Sequence, residues 1–196
     1  MPPNLNQKLY IYKSLLLKWS KAINLVAPST LTEIETRHFE DSLQLLPHIP
    51  EETKTLIDIG SGAGFPGLAL ALARASFTVH LVESDQKKCA FLSTVSRETF
   101  TPIIIHNNRV ENVDIKEIGP EIVTARALAS LTDLLTMTQN WWQIIPSLTL
   151  IFLKGEKADD EIADALRKFK FSFETIQSKT DPKGCVLILK NVSAKE

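Results

Sequence analysis

The residues with the clearest chemical potential lie in one run, Asp58-Ile59-Gly60-Ser61-Gly62-Ala63-Gly64-Phe65-Pro66-Gly67. An apolar stretch, Leu56 to Ile59, ends in a glycine-rich turn, and an alanine-rich apolar stretch, Leu68 to Ala73, follows it. That order predicts a strand, a tight turn and a helix N-terminus. Glycines there permit positive φ and let a ligand approach the backbone closely. Pro66 suits the first helical turn, where its missing N–H is not needed. Two cofactor classes fit such a turn. Gly62-x-Gly64-x-x-Gly67 matches the dinucleotide fingerprint, in which a pyrophosphate sits on the helix N-terminus. Gly60-x-Gly62-x-Gly64, with Asp58 two residues earlier, matches the S-adenosylmethionine (SAM) loop of Rossmann-like methyltransferases. Ile59 reads as the last strand residue, so Gly60 is the first turn glycine, which favours SAM. A carboxylate at Asp58 would also repel a pyrophosphate, whereas SAM has no phosphate and carries a cationic sulfonium and ammonium. A plain tight turn without a ligand is the alternative to both.

Further candidates stand where later strands are expected to end. Glu83 follows the second apolar run, about 20 residues beyond the loop, where a carboxylate can bind both ribose hydroxyls. Asn108-Arg109-Val110-Glu111 follows the third and is placed to contact an adenine. Arg126 ends the fourth in small, apolar company; it suits a cofactor carboxylate, a substrate phosphate or an ion pair with Asp58 or Glu111. Lys154-Gly155-Glu156 follows the fifth. His38 is a candidate base, although a lone helical histidine is more often a packing or capping residue. Asp41 and Ser42 suit orientation of backbone at a helix–sheet junction.

The elements that must position these residues can be read from periodicity. Leu5, Leu9, Tyr12, Leu16, Trp19 and Ile23 form one stripe of an amphipathic helix, with Lys8, Lys13, Lys18 and Lys21 off the stripe. Thr30-x-x-Glu33 resembles a capping box and predicts a second helix from near Leu31 to Pro47. Strands are expected at 55–59, Thr78 to Val82, Ile103 to Ile105, from Ile122, and at Leu148 to Leu153. Helices are expected at Lys87 to Phe100, from the Ser130-x-x-Asp133 cap through Trp141 and Trp142 to Pro146, and at Lys157 to Phe169. Phe171 to Lys179 and Cys185 to Lys190 flank a turn signature, Asp181-Pro182-Lys183-Gly184. Alternating strands and helices imply a parallel sheet with right-handed crossovers. The expected fold is α/β and Rossmann-like: a mostly parallel seven-stranded sheet with a C-terminal antiparallel hairpin strand. It forms a single domain, with an N-terminal helical extension over 1–50 and the core over 51–196.

Composition narrows the class. The 196 residues suffice for one substantial core, and 44% hydrophobic with 23% charged residues is ordinary for a soluble domain. No apolar run approaches the ~20 residues of a membrane helix, and the N-terminus lacks a secretory pattern. A net charge of −1 argues against bulk electrostatic coating of nucleic acid while permitting a local basic face. Cys89 and Cys185 make neither a disulfide framework nor a metal site. The expectation is a cytoplasmic protein without metal.

Several blocks together carry a family resemblance. These are Trp19 with Ile23-Asn24-Leu25, Arg37-His38-Phe39-x-Asp41-Ser42-Leu43, the Asp58–Gly67 loop, Arg109-Val110-Glu111, Arg126-Ala127-Leu128-Ala129-Ser130-Leu131 and Leu153-Lys154-Gly155. In order and spacing the chain resembles the bacterial small-subunit rRNA guanine-N7 methyltransferases, also called glucose-inhibited division protein B. The resemblance spans nearly the whole chain. It implies a monomeric, SAM-dependent enzyme that methylates N7 of guanosine 527 in 16S rRNA, near the decoding site. By motif it implies SAM contacts at Gly60, Phe65, Val110, Glu111 and Arg126, with Glu83 at the ribose. Glu83 stands where many relatives have aspartate, and Leu128 where phenylalanine is common. Guanine N7 has a free lone pair at neutral pH, so no general base is expected, and Arg126 and His38 are candidates for positioning substrate. Arg109, Lys154 and the N-terminal lysines are candidates for binding phosphate or the base. Alternatives are a methyltransferase for another RNA, a protein or a small molecule, an NAD(P)-dependent oxidoreductase, and a non-catalytic ribosome assembly factor.

Overall fold

The computed structural model describes residues 3–195. Helix α1, Leu5–Trp19, starts with a capping box: Asn4 accepts from the Gln7 N–H and the Gln7 side chain accepts from the Asn4 N–H. Its Tyr12 and Leu16 are fully buried. The expected second helix is replaced by four short pieces. A 3-10 turn at Pro28–Glu33 leads into a π-helical turn at Glu35–Glu40, a single α-turn α2 at Asp41–Leu43, and another 3-10 turn at Leu46–His48. The Thr30-x-x-Glu33 box is not used as a cap. Thr30 instead donates to the Ala27 carbonyl at 2.7 Å and faces His38 Nε2 at 2.8 Å. The π turn is a device for re-aiming side chains at a working site. Here it buries His38 and Phe39 while leaving Arg37 on the surface of the same turn.

The core then alternates as expected. Strand β1 is Thr55–Ile59, helix α3 Gly67–Ala73, β2 Thr78–Val82 and α4 Gln86–Glu98. Strand β3, Ile104–His106, is followed by a 3-10 turn at Val110–Asn112 and α5, Ile115–Ile118. Next come β4 Ile122–Arg126, α6 Leu131–Met137, α7 Gln139–Ile144, β5 Thr149–Lys154 and α8 Ala158–Lys168. The chain closes with β6 Phe169–Gln177 and β7 Cys185–Ala194. Ser130 caps α6 as its spacing predicted. The single helix expected beyond it breaks at Thr138, whose hydroxyl donates back to the Leu134 carbonyl at 2.8 Å and competes with the backbone ladder.

The strands form one sheet in the order β3-β2-β1-β4-β5-β7-β6. β1 to β5 pair in parallel, and β7 inserts antiparallel between β5 and β6. The order reverses beside β1, so the ends of β1 and β4 border the switch-point crevice where such sheets bind ligands. Side chains alternate faces with period two. Leu56, Ile122 and Ile151 join the core shared with α1, α3 and α4, while Ile57, Val123, Leu150 and Phe152 join that shared with α6, α7 and α8. Trp141 and Trp142 belong to this second core. Among the described residues, no helix is long and apolar enough to cross a membrane.

Candidate active site

The glycine turn is built by three positive φ angles, +63° at Gly60, +56° at Gly62 and +93° at Gly64. It is closed by the Gly64 N–H donating to the Ser61 carbonyl at 2.6 Å. Gly67 carries no strain of that kind but has no room. A Cβ there would meet Asp58 Cβ at 2.5 Å and Leu81 Cδ2 at 2.7 Å, so this glycine lets α3 sit directly on β1 and β2. Gly62 is the reverse case: a Cβ would meet only the Gly60 carbonyl oxygen, at 3.7 Å, leaving its backbone open to a ligand.

Asp58 is fully buried beneath this turn and does not line the cavity above it. Thr124 donates to its Oδ1 at 2.7 Å, while Oδ2 has no hydrogen-bond partner among the described residues. Burial pushes its carboxyl up to about 6, against the opposing pull of the Thr124 hydrogen bond. It therefore acts from behind the loop rather than by touching a ligand.

Glu83 lies at the end of β2 and is buried to 7% exposure. Its Oε2 accepts from the Gly62 N–H at 2.8 Å and its Oε1 from the Asp85 N–H at 2.8 Å. Two backbone donors thus fix both oxygens, each of which keeps acceptor capacity for a ribose diol. Val110 is buried and Glu111 exposed in the 3-10 turn after β3, and both border the same cavity as Glu83 and Gly60. That cavity measures about 710 Å³ and lies across the carboxyl ends of the parallel strands. Its size is within the range of cofactor sites. An open glycine backbone beside a fixed carboxylate fits the nucleoside and amino-acid ends of SAM.

The N-terminal segment is bonded to this loop through an aromatic stack. The Phe65 ring packs against Tyr12 at 5.2 Å between centroids and 9° between planes, and against His38 at 5.0 Å and 17°. The Arg126 guanidinium lies 5.0 Å from the same ring. Tyr12 also donates its hydroxyl to the Ala63 carbonyl within the loop. Burial, its largest influence, holds that hydroxyl protonated.

Arg126 is pinned by three partners. Its Nη1 donates to the Arg37 carbonyl at 2.9 Å and to Asp41 Oδ2 at 3.1 Å, and its Nη2 to His38 Nδ1 at 2.9 Å. The ion pair is with Asp41, where the sequence had suggested Asp58 or Glu111. A guanidinium cannot accept, so His38 Nδ1 must be bare and Nε2 must carry the hydrogen donated to Thr30. Burial, with Arg126 and Arg37 nearby, lowers His38 to about 4. Both ring nitrogens are committed and the ring is neutral. The Lys154 ammonium is likewise spent inside the protein, on the Ala129 carbonyl at 2.9 Å and Glu161 at 2.6 Å. Lys13 is paired with Glu35. Arg109 remains exposed at the cavity rim.

Sequence reasoning missed the far wall. The β6–β7 turn, 178–184, brings Ser178 and Asp181 to the cavity lining, and Cys185 joins them at the start of β7, across the sheet order from β2 and Glu83. It is tied to the N-terminal segment by Gln44 Oε1, which accepts from the Lys179 N–H at 2.8 Å, and by Thr180, which donates to Asp41 at 2.7 Å. These partners are 135 and 139 residues apart in the chain, and no local pattern announces them.

The comparisons with known proteins agree with this geometry. The family described as "rRNA small subunit methyltransferase G" matches residues 5–183. A relative from Paramagnetospirillum magneticum, named ribosomal RNA small subunit methyltransferase G, is 45% identical over 95% of this chain and 89% of its own. One of the same name from Rhodospirillum centenum is 43% identical over 96% and 85%. Among solved structures, the fold is similar to the PH0226 protein of Pyrococcus horikoshii, with a TM-score of 0.61, 10% identity, and 89% and 98% of the two chains covered. It is also similar to MtNAS in complex with S-adenosylmethionine, with a TM-score of 0.58, 13% identity, and coverage of 94% and 75%. The two structures show a shared fold, and the sequence matches show more: with its glycine turn, Glu83 and Arg126 gathered on one cavity, this chain belongs to the rRNA small subunit methyltransferase G family.

Proposed function

We propose that this protein methylates guanine N7 in the 16S rRNA of the small ribosomal subunit, as a cytoplasmic monomer working as one domain. Gly60, Phe65, Val110, Glu111 and Arg126 hold SAM, with Glu83 at the ribose. When bound, SAM supplies a methyl group already activated on a sulfonium. The chain's own task is to align an acceptor with that methyl and keep competing water out. Alignment alone can contribute several kcal/mol of rate acceleration.

The observation that carries the N7 reading is the state of His38. It is the only histidine among the described residues lining the cavity, and Arg126 and Thr30 occupy both of its nitrogens. With both ring nitrogens occupied, this histidine cannot take a proton from a substrate. Guanine N7 presents its lone pair without deprotonation, on an edge accessible in single-stranded or splayed RNA. His38 then serves to position Arg126, and Arg109 is an exposed rim cation available to phosphate.

The test is transfer of labelled methyl from SAM to small subunits from cells lacking this protein. Label in the rRNA is the expected result. Label confined to protein or to small metabolites, or binding of SAM without transfer, would reject the reading.

A further inference from the structure

The cavity has two ends. Glu83, which the proposed function places at the ribose, follows β2, and the β6–β7 turn lines the cavity from the other side of β1, β4 and β5 in the sheet order. Most polar side chains at the second end are already spent. Asp41 Oδ1 accepts from Gln44 Nε2 at 2.9 Å and from Thr180 at 2.7 Å, and its Oδ2 accepts from Arg126. Lys154 is held by Glu161 and the Ala129 carbonyl.

Asp181 is different. Its Oδ1 accepts one backbone hydrogen, from Lys183 at 3.0 Å. Its Oδ2 faces Arg37 Nη1 at 3.5 Å, too long for a hydrogen bond, with the two side chains 35% and 41% exposed. This carboxylate keeps acceptor sites on both oxygens and opens onto the cavity. The turn presenting it is stiff. Ser178 Oγ accepts from the Thr180 and Asp181 N–H groups at 3.2 Å each, and the two hydrogens of Gln177 Nε2 are shared among the carbonyls of Asp181, Pro182 and Gly184 at 3.0–3.2 Å. A carboxylate pre-positioned by its supporting shell selects more sharply than a free one.

We infer that Asp181 is a specificity-determining residue that reads guanine, its carboxylate accepting from N1–H and the 2-amino group, with Arg37 alongside balancing the charge. This rests on the guanine-N7 reading above. A base whose N7 is turned toward the glycine-loop end of the cavity points its opposite edge outward, toward the second wall. Guanine carries two adjacent donors on that edge. Adenine carries a bare lone pair at N1, which a carboxylate repels, so the same group attracts one purine and rejects the other.

The test uses the full chain and reconstituted small subunits carrying guanosine or inosine at the modified position. Inosine keeps N7, O6 and N1–H and lacks only the 2-amino group. Wild-type protein should show kcat/KM lower on inosine by about tenfold. Asp181→Asn should lower kcat/KM on guanosine about ten- to a hundredfold and bring the guanosine-to-inosine ratio close to one. Its SAM Kd should stay within about twofold, because the change lies at the opposite end from Glu83. Asparagine can still accept from the Lys183 N–H, which preserves the turn. Asp181→Glu keeps both acceptors and should retain a guanosine preference. An unchanged ratio in Asp181→Asn, or equal loss of preference in both variants, overturns the assignment. Label outside 7-methylguanosine with wild-type protein overturns the underlying reading instead, so the two failures are distinct.

Discussion

Two buried titratable groups beside the glycine turn give opposite pH dependences, and removing one exposes the other. Asp58 has its folded pKa raised from 3.8 to about 6, chiefly by burial. The folded protein therefore binds more protons than the unfolded chain between those values, and stability falls as pH rises through that window. The gap is worth about 3 kcal/mol. His38 has its folded pKa lowered from 6.5 to about 4, again chiefly by burial. Its contribution is fully present above pH 6.5 and is lost as pH falls toward 4, by a comparable amount of about 3 kcal/mol. In the wild-type protein the two trends largely cancel between pH 4 and 6.5. Asp58→Asn removes the first, so its stability relative to wild type should improve by about 3 kcal/mol between pH 4 and 7. His38→Gln, which can accept from Arg126 and donate to Thr30, should show the opposite relative trend. Urea denaturation at half-unit pH intervals reads both, because the other carboxylates titrate equally in variant and parent and drop out of the difference. Parallel pH–stability curves for wild type and Asp58→Asn would refute the assignment of a raised pKa to Asp58.

Three further outcomes follow from the site's construction. Glu83→Ala removes both diol acceptors and the brace on the Gly62 N–H; the SAM Kd by calorimetry should rise about ten- to a hundredfold, and an unchanged Kd would remove Glu83 from the ribose. Arg126→Ala leaves Asp41 and His38 without their shared donor and should cost about 2–3 kcal/mol in urea denaturation; a loss below about 0.5 kcal/mol would show that the network contributes nothing to stability. Gly67→Ala drives a methyl into Asp58 and Leu81 and should cost more than the about 1–2 kcal/mol of left-handed strain in Gly62→Ala, although Gly67 is the one with ordinary φ. Thermal unfolding of the two variants reveals the order, and the reverse order would contradict the close packing of α3 on β1.

How much of this was legible in the sequence depends on the range of the interactions. Alternating strands and helices, the turn from Gly60, the carboxylate at Glu83 and the Ser130 cap are encoded within a few residues and appear where the local pattern placed them. Asp181-Pro182-Lys183-Gly184 was readable as a turn, since each residue type has a local reason to be there. That the turn would border the cavity was not readable, because the Gln44–Lys179 and Asp41–Thr180 bonds cross most of the chain. The segment 28–48 misled for a related reason. Its capping signature is local, but Thr30 bonds Ala27 and His38 instead of capping, His38 is held by Arg126 from 88 residues away, and the backbone runs through a π turn there. Arg126 stood out as an unusual arginine at a strand end; its partners, contributed by the N-terminal segment, did not.

The central claim is that the methyl group goes to N7 of guanine. The most direct measurement is nucleoside analysis of rRNA labelled by this protein in small subunits from cells that lack it. The account predicts label in 7-methylguanosine, at one position, from wild-type protein with SAM. Label in any other methylated nucleoside, or the absence of label from a protein that binds SAM, would contradict it.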